Sequence, residues 1–282
     1  MKDSISKEIP APDELTGLWR RSLIAWPDGP SDTETWVNWM QGATSYLDLR
    51  QPAVKPDFHA VQGLRQLNLE QVCWLAEQEG FAGTLHFDGT YYEWRREIDF
   101  QPQAIYSDQG QLWYEGGMMV EEGKDIAYIE HWHREPIELS PICALRLQGR
   151  ADGVRGVLLR VGTLFMYARG RLAEIPMGQH LRDCVAAAPS LVAAQDLIDC
   201  EISQGAITST GWIVQRSSLP YREAQDLSPD HFLSLSDGHE HGVLVTRDTG
   251  PDGRRMLRHW DILDVEGDIG AIPQVQNMRA VR

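Results

Sequence analysis

Short runs of alternating apolar and polar residues dominate the chain. In Tyr46-Leu47-Asp48-Leu49-Arg50 the leucines fall on one face, and an aromatic, a carboxylate and a guanidinium fall on the other. A period of two predicts a β-strand. The same period recurs in "LWRRSLIAW" and "TETWVNWM", and later in "AGTLHFDG", "TYYEWRREIDF", "GQLWYEGG" and "DIAYIEHWHR". Asp-Gly, Asp-Gln-Gly and Glu-Glu-Gly breaks separate the later runs, which reads as antiparallel neighbours joined by tight turns. One segment, "NLEQVCWLAEQEG", has helical spacing instead. Asn68 is its cap, Gln71 sits at the capping-box position, Leu69, Val72, Cys73 and Ala76 share a face, and Gly80 is the expected stop.

After Glu135-Pro136 the order repeats. "ICALRLQG", "RGVLLRVG" and "TLFMYARG" read as strands, "SLVAAQDLIDCEISQG" as a helix capped by Ser190 with Gly205 past its end, and four further strands follow. Three landmarks recur in order: an Arg closing the third strand (Arg50, Arg169), a Trp after the helix (Trp94, Trp212), and His-Trp in the last strand (His131-Trp132, His259-Trp260). The Arg-to-Trp spacing is 94 − 50 = 44 residues in one half and 212 − 169 = 43 in the other. These regularities predict a mainly β chain of two tandem lipocalin-like antiparallel β-barrels related by internal duplication, each with one short helix. The alternative is two adjacent β units with incidental matches. Expected boundaries are a flexible arm over 1–13, an N-terminal barrel over 14–136 carrying the ligand site, a C-terminal barrel over 137–266, and a tail over 267–282.

Composition narrows the class. Of 282 residues, 42% are hydrophobic and 24% charged, as in an ordinary soluble domain. A formal charge of −15 argues against a nucleic-acid partner, since phosphate contacts need clustered cations. No apolar run reaches the ~18 residues of a membrane span, and the amino-terminal stretch lacks a secretory signal, so a cytoplasmic location without membrane contact is expected. Cys73, Cys143, Cys184 and Cys200 have no C-x-x-C spacing and are expected as buried thiols. The cations are 22 Arg and 4 Lys. Arg is the cation suited to partly buried bidentate pairing.

Strand alternation places Tyr46, Asp48 and Arg50 on one face, Trp94 with Arg96 on another, and Tyr128, Glu130 and Trp132 on a third. So many aromatics are poorly suited to a wet surface, and so many charges to a dry core. A partly hydrated barrel interior accommodates both. In that reading Tyr46, Arg50, Trp94, Arg96, Tyr128 and Trp132 bind a small molecule, and Asp48 and Glu130 are the candidate catalytic carboxylates. An outward ladder of cross-strand ion pairs is the competing arrangement. In the second half Tyr167 stands for Asp48, Val214 for Arg96 and Arg258 for Glu130, so the balance of acid and base is expected only in the first half.

Other chemistry is thinner. His131 and His133 form an H-x-H on one strand face, a cupin-like metal candidate with Glu138 nearby, yet Pro136 interrupts the strand; the overall expectation is no metal and no cofactor. His239-Glu240-His241 follows a turn, and Asp99 and Gln101 sit at a strand end. There is no G-x-S-x-G and no phosphate-cradling Gly-rich loop.

The two-unit layout, the pattern Tyr128-x-Glu130-x-Trp132 and the opening strands of the second unit resemble the fungal Hri family of intracellular proteins built of two lipocalin-like (calycin-like) barrels. The resemblance implies the fold and supplies no catalytic residues. The expected function is therefore binding of a small polar or amphipathic molecule in the N-terminal barrel. The alternatives are acid-base catalysis on that molecule by Asp48 and Glu130 (isomerase, dehydratase or cyclase type), a cupin-like metal protein, and a ligand-free interaction scaffold. Whether the chain is an enzyme is open, as is a homodimer.

Overall fold

The computed structural model describes residues 8–236 and 239–274, without the side chains of 232–241. The first sheet comprises β1 (Gly17–Ala25), β2 (Ser31–Asp32), β3 (Trp36–Gln41), β4 (Ser45–Gln51), β5 (Glu79–Phe87), β6 (Tyr92–Asp99), β7 (Gln109–Glu115), β8 (Met118–Gly123) and β9 (Ile129–Arg134). Consecutive long strands pair antiparallel, and β9 returns to β1, closing an eight-stranded barrel with β2 as a short appendage on β1. Closure removes free edges. One rung set is thin: β6 and β7 pair only at Tyr92↔Gly110 and Glu93↔Gln109, so the wall is split below Trp94.

The second sheet comprises β10 (Ile142–Gly149), β11 (Arg155–Val161), β12 (Leu164–Arg169), β13 (Glu201–Thr208), β14 (Gly211–Ser217), β15 (Asp230–Ser236), β16 (His239–Thr249) and β17 (Arg255–Gly267). Its order is β14-β13-β12-β11-β10-β17-β16-β15, a curled sheet in which β14 and β15 do not pair. The expected second closed barrel is thus a curled one. The segment leading into β15 fills the gap: Val214 N–H donates to Gln225 O at 2.9 Å, and Arg247 N–H donates to Leu227 O at 2.9 Å.

Strand order matches between the sheets one for one, with the helical insert after the third long strand and the split after the fifth in both. Register makes the match residue-specific. Tyr46 opposes Gly83 and Phe165 opposes Gly205, and each glycine follows a break in register on its strand. A Cβ on Gly83 would lie 1.9 Å from Arg95 O and one on Gly205 2.3 Å from Ile213 O, so both kinks need glycine.

Helix α1 (Leu69–Leu75) begins with the expected capping box, Asn68 Oδ1 accepting from Gln71 N–H and Gln71 Oε1 from Asn68 N–H. Two helices fill the second insert, α2 (Leu181–Ala186) and α3 (Leu191–Leu197). Ser190 caps α3 as expected, but the helix stops at Leu197, and Gly205 lies inside β13. The reason is alternation: Glu201 and Ser203 face the interior of the second sheet while Ile202 packs against the first barrel. Gly80 likewise lies in β5, not at a helix end.

Leu47 and Leu49 are fully buried in an apolar layer shared with Val157, Leu159, Met166, Ala168 and Ile202 of the second sheet. The leucine face of β4 is therefore the seam between the two halves, and its other face looks into the first barrel. Asn38 Nδ2 donating to Gln204 Oε1 (2.9 Å) and Gln51 Nε2 donating to Ser217 O (3.0 Å) satisfy polar groups within that seam. Cys143 and Cys200 are buried; Cys73 and Cys184 are only half-buried. Of the expected arm, residues 1–7 lie outside the described residues, while Pro12–Leu15 forms an ordered 3-10 turn with Leu15 buried against the barrel. The expected tail lies outside them beyond Gln274. No helix among the described residues is long and apolar enough to cross a membrane.

Candidate functional site

Inside the first barrel, Trp19, Trp39, Trp94 and Trp132 form an aromatic cluster with centroid separations of 5.6–6.1 Å. Offset and edge contacts of this kind favour rigid walls. Asp48 (2% exposed) and Glu130 (1%) sit against them. Arg50 Nε donates to Asp48 Oδ1 at 2.9 Å and its Nη1 reaches Glu130 Oε1 at 3.4 Å. Arg21, almost fully buried on β1, donates from Nη1 to Glu130 Oε1 at 2.5 Å. Burial pushes both carboxyls upward from their ordinary values, and the guanidinium of Arg50, joined by that of Arg21, pulls them back.

Glu121 on β8 (4% exposed) has no arginine ion-pair partner among the described residues; its Oε1 accepts from Tyr128 OH at 2.7 Å and its Oε2 from the Trp132 indole N–H at 3.0 Å. It opposes Glu130 directly across the β8–β9 rung. Burial, then the neighbouring Glu130 and Asp108 carboxylates, raise its pKa well above the ordinary 4.5. Like charges opposed on one rung are destabilising, and burial in such company favours the protonated form of an acid. Sequence reading missed Glu121 because "VEEGK" looks like a turn. Met119-x-Glu121 alternation was the available signal. Arg21 was missed as one of two adjacent arginines in "WRRS".

Arg96 departs from the expected interior set. Its side chain is 28% exposed and pairs with Asp99 (2.8 Å) and Asp108 (2.6 Å), with its guanidinium 3.7 Å from the Phe81 ring centroid. The structure thus gathers Tyr46, Asp48, Arg50, Trp94, Glu130 and Trp132 inside the barrel and puts Arg96 and Tyr128 at the split between β6 and β7. Tyr46 is fully buried and its hydroxyl has no hydrogen-bond partner among the described residues; Tyr167 OH and Arg169 Nε in the second half share that condition.

Space is distributed unevenly. The interior cavity bounded by Trp39, Asp48, Arg50, Trp94, Asp108 and Glu121 measures about 10 Å³, so side chains fill the expected hollow. That is room for about one water. A 400 Å³ pocket opens beside it at the split, sharing Trp94 and Asp108 with the cavity and bounded also by Arg96, Ile105, Tyr106 and Tyr128. The other side of the charge cluster, at Arg21, Arg50 and Glu79, meets a 150 Å³ hollow.

The second half also buries charge, contrary to the expectation that its balance of acid and base is lost. Arg222 pairs with Glu201 (3.0 Å), Arg258 with Asp248 (2.7 Å) and Asp152 (2.5 Å), and Arg169 with Asp199 (2.7 Å). The acids come from positions that the landmarks do not align. Asp248 titrates low because, although burial opposes it, three arginines surround it.

His131 and His133 lie on the outer face of β9, half-buried, and Ser22 Oγ is 2.9 Å from His133 Nε2. Among the described residues no group of three or more His, Cys, Asp or Glu is arranged to hold a metal. The side chains of His239, Glu240 and His241 lie outside the described residues. Asp99 is at the split, paired with Arg96, while the Gln101 side chain turns to the helical inserts, its Nε2 donating to Gln78 O at 2.5 Å and its Oε1 accepting from Leu181 N–H at 3.2 Å.

No protein-family model matches the chain, and no curated protein matches it. Among solved structures it is similar to the uncharacterised protein YLR301w from Saccharomyces cerevisiae, at 12% identity over 90% of this chain and 100% of that one, with a TM-score of 0.47. A protein of unknown function of the DUF3598 family from Nostoc punctiforme is similar at 8% identity over 88% and 96%, with a TM-score of 0.21. At these scores neither likeness bears on function.

Proposed function

We propose that the protein binds a small polar or amphipathic molecule in the first barrel, at the split between β6 and β7. The observation that carries this reading is the opposed pair Glu121 and Glu130, buried on one rung and linked through Tyr128 OH to the wall of a 400 Å³ pocket. Such a pair costs stability, and ill-balanced buried titratable groups beside a cleft are characteristic of functional sites. A pocket of that size, walled by Trp94, Tyr106 and Tyr128 and rimmed by charged side chains, suits one small polar or amphipathic ligand. Part of the same proposal is a cytoplasmic setting and kinship with the Hri-type two-barrel proteins, which rests on strand order and on Tyr128-x-Glu130-x-Trp132.

A thermal-shift screen of a metabolite panel tests it, with Trp94→Ala as the site control and Trp212→Ala as the control in the second half. The expected result is a ligand whose stabilisation disappears only with Trp94→Ala. A panel without any stabilising compound, or stabilisation indifferent to Trp94→Ala, refutes the reading.

One observation favours a second reading, acid-base catalysis on the bound molecule. Burial and neighbouring carboxylates raise the pKa of Glu121 at the wall of the cavity that Asp48 also lines, whereas Asp48 and Glu130 are tied to arginines. Glu121 is then the proton donor. Glu121→Gln would abolish turnover while leaving binding intact.

A further inference from the structure

The split between β6 and β7 carries a charge bias that specifies its occupant; this step rests on the binding role proposed above. Four carboxylates bound the pocket: Glu93, Asp99, Asp108 and Asp125. Among the described residues the cations there are Arg95 and Arg96, so their formal balance is 2 − 4 = −2. Both arginines are already committed, Arg95 to Glu93 at 2.7 Å and Arg96 to Asp99 and Asp108. Asp125 is exposed and has no ion-pair partner among the described residues. An anionic ligand would meet this surplus of carboxylates with no free guanidinium to receive it.

The walls are aromatic. Trp94 and Tyr106 bound the pocket, and Tyr128 is fixed by its hydrogen bond to Glu121. Carboxylates set among aromatic faces attract cations by charge and by ring quadrupole together. Arg96 already behaves this way, stacking on Phe81 between Asp99 and Asp108. At the corresponding position the second half has Val214, so packing does not require a cation there.

We infer that the split takes a small organic cation, an amine or quaternary ammonium on an apolar frame, with its charge beside Asp108 and its frame against Trp94 and Tyr128. Arg96 is the internal competitor for Asp108, and the ligand enters by exchanging with it. The two sources of positive charge then share one carboxylate, and removing the internal one strengthens binding of the external one.

Isothermal titration with three phenyl-bearing probes, one cationic, one neutral and one anionic, tests this: benzyltrimethylammonium, benzyl alcohol and phenylacetate. The expected order is benzyltrimethylammonium tightest by at least tenfold. Arg96→Ala tightens it a further several-fold, Asp108→Asn weakens it at least tenfold, and Asp125→Asn weakens it about twofold. Circular dichroism and an unchanged thermal transition establish that each variant is folded; Asp125→Asn, at an exposed position, keeps the test alive if Asp108→Asn is not. Phenylacetate binding best, or Arg96→Ala abolishing cation binding, overturns the charge assignment; the binding role survives if that probe's effect still depends on Trp94. Equal affinity for all three probes also overturns the assignment, and no binding of any probe overturns it as well. The metabolite screen then decides separately whether the binding role stands.

Discussion

The two halves share strand order, kinks and the landmark tryptophans, yet they solve the burial of charge in opposite ways. On the rung where the first barrel opposes Glu121 to Glu130, the second opposes Thr246 to Arg258. The indole of Trp132 donates to Glu121, and that of Trp260 donates to Thr246 at 3.0 Å. The second half surrounds Asp248 with Arg169, Arg222 and Arg258, and these cations lower its pKa although burial opposes them. The first half leaves one carboxyl without a cation and places a pocket beside it. Strand order and kinks are what the halves share; how their buried acids are paired is what sets them apart.

The sharpest way to break this comparison is Arg50→Met set against Arg169→Met. Removing Arg50 strands Asp48 in the barrel and leaves Glu130 with Arg21 alone, a loss on the order of 3–5 kcal/mol. Arg169 spends its short ion pair on the partly exposed Asp199, so its loss is smaller, roughly 1–3 kcal/mol. Urea unfolding of both variants measures the difference. Equal losses would mean that the halves bury charge on the same terms.

Glu121→Gln comes next. The folded chain holds the Glu121 proton to higher pH than the unfolded chain does. The carboxyl therefore contributes its full stability below the ordinary 4.5 and loses it as pH rises through the raised folded value. Glutamine mimics the neutral acid at every pH. The variant should match the parent near pH 4 and exceed it by on the order of 1–2 kcal/mol at pH 8. A gap independent of pH would show that Glu121 is ionised in the fold. The smallest effect is expected from Tyr46→Phe, which deletes an unpartnered hydroxyl and should change stability by no more than about 1 kcal/mol. Phe165→Tyr in the second half should cost somewhat more, because that site is already filled.

Much of the architecture was legible because strand periodicity is local. Tyr46, Asp48 and Arg50 alternate against two leucines, and that alternation alone put them on one face. What the leucines faced was not local: they meet Val157 and Leu159, more than a hundred residues away in sequence. The same limit hid the acids of the second half, since Glu201 lies where helical spacing appeared to continue. It hid Glu121 too, whose meaning depends on its rung partner and not on its neighbours in "VEEGK". The size of the interior was beyond alignment of motifs altogether, because side-chain packing among Trp39, Trp94 and Trp132 reduces the hollow to about 10 Å³.

Strand β4, apolar side chains sunk in the other half and polar ones in its own, makes the molecule calorimetrically indivisible. A gene fragment ending after Arg134 would exchange that seam for a greasy plate of Leu47, Leu49 and Met40 open to water. Such a fragment should precipitate or pair with itself, and the intact chain should melt in a single endotherm despite its duplicated plan.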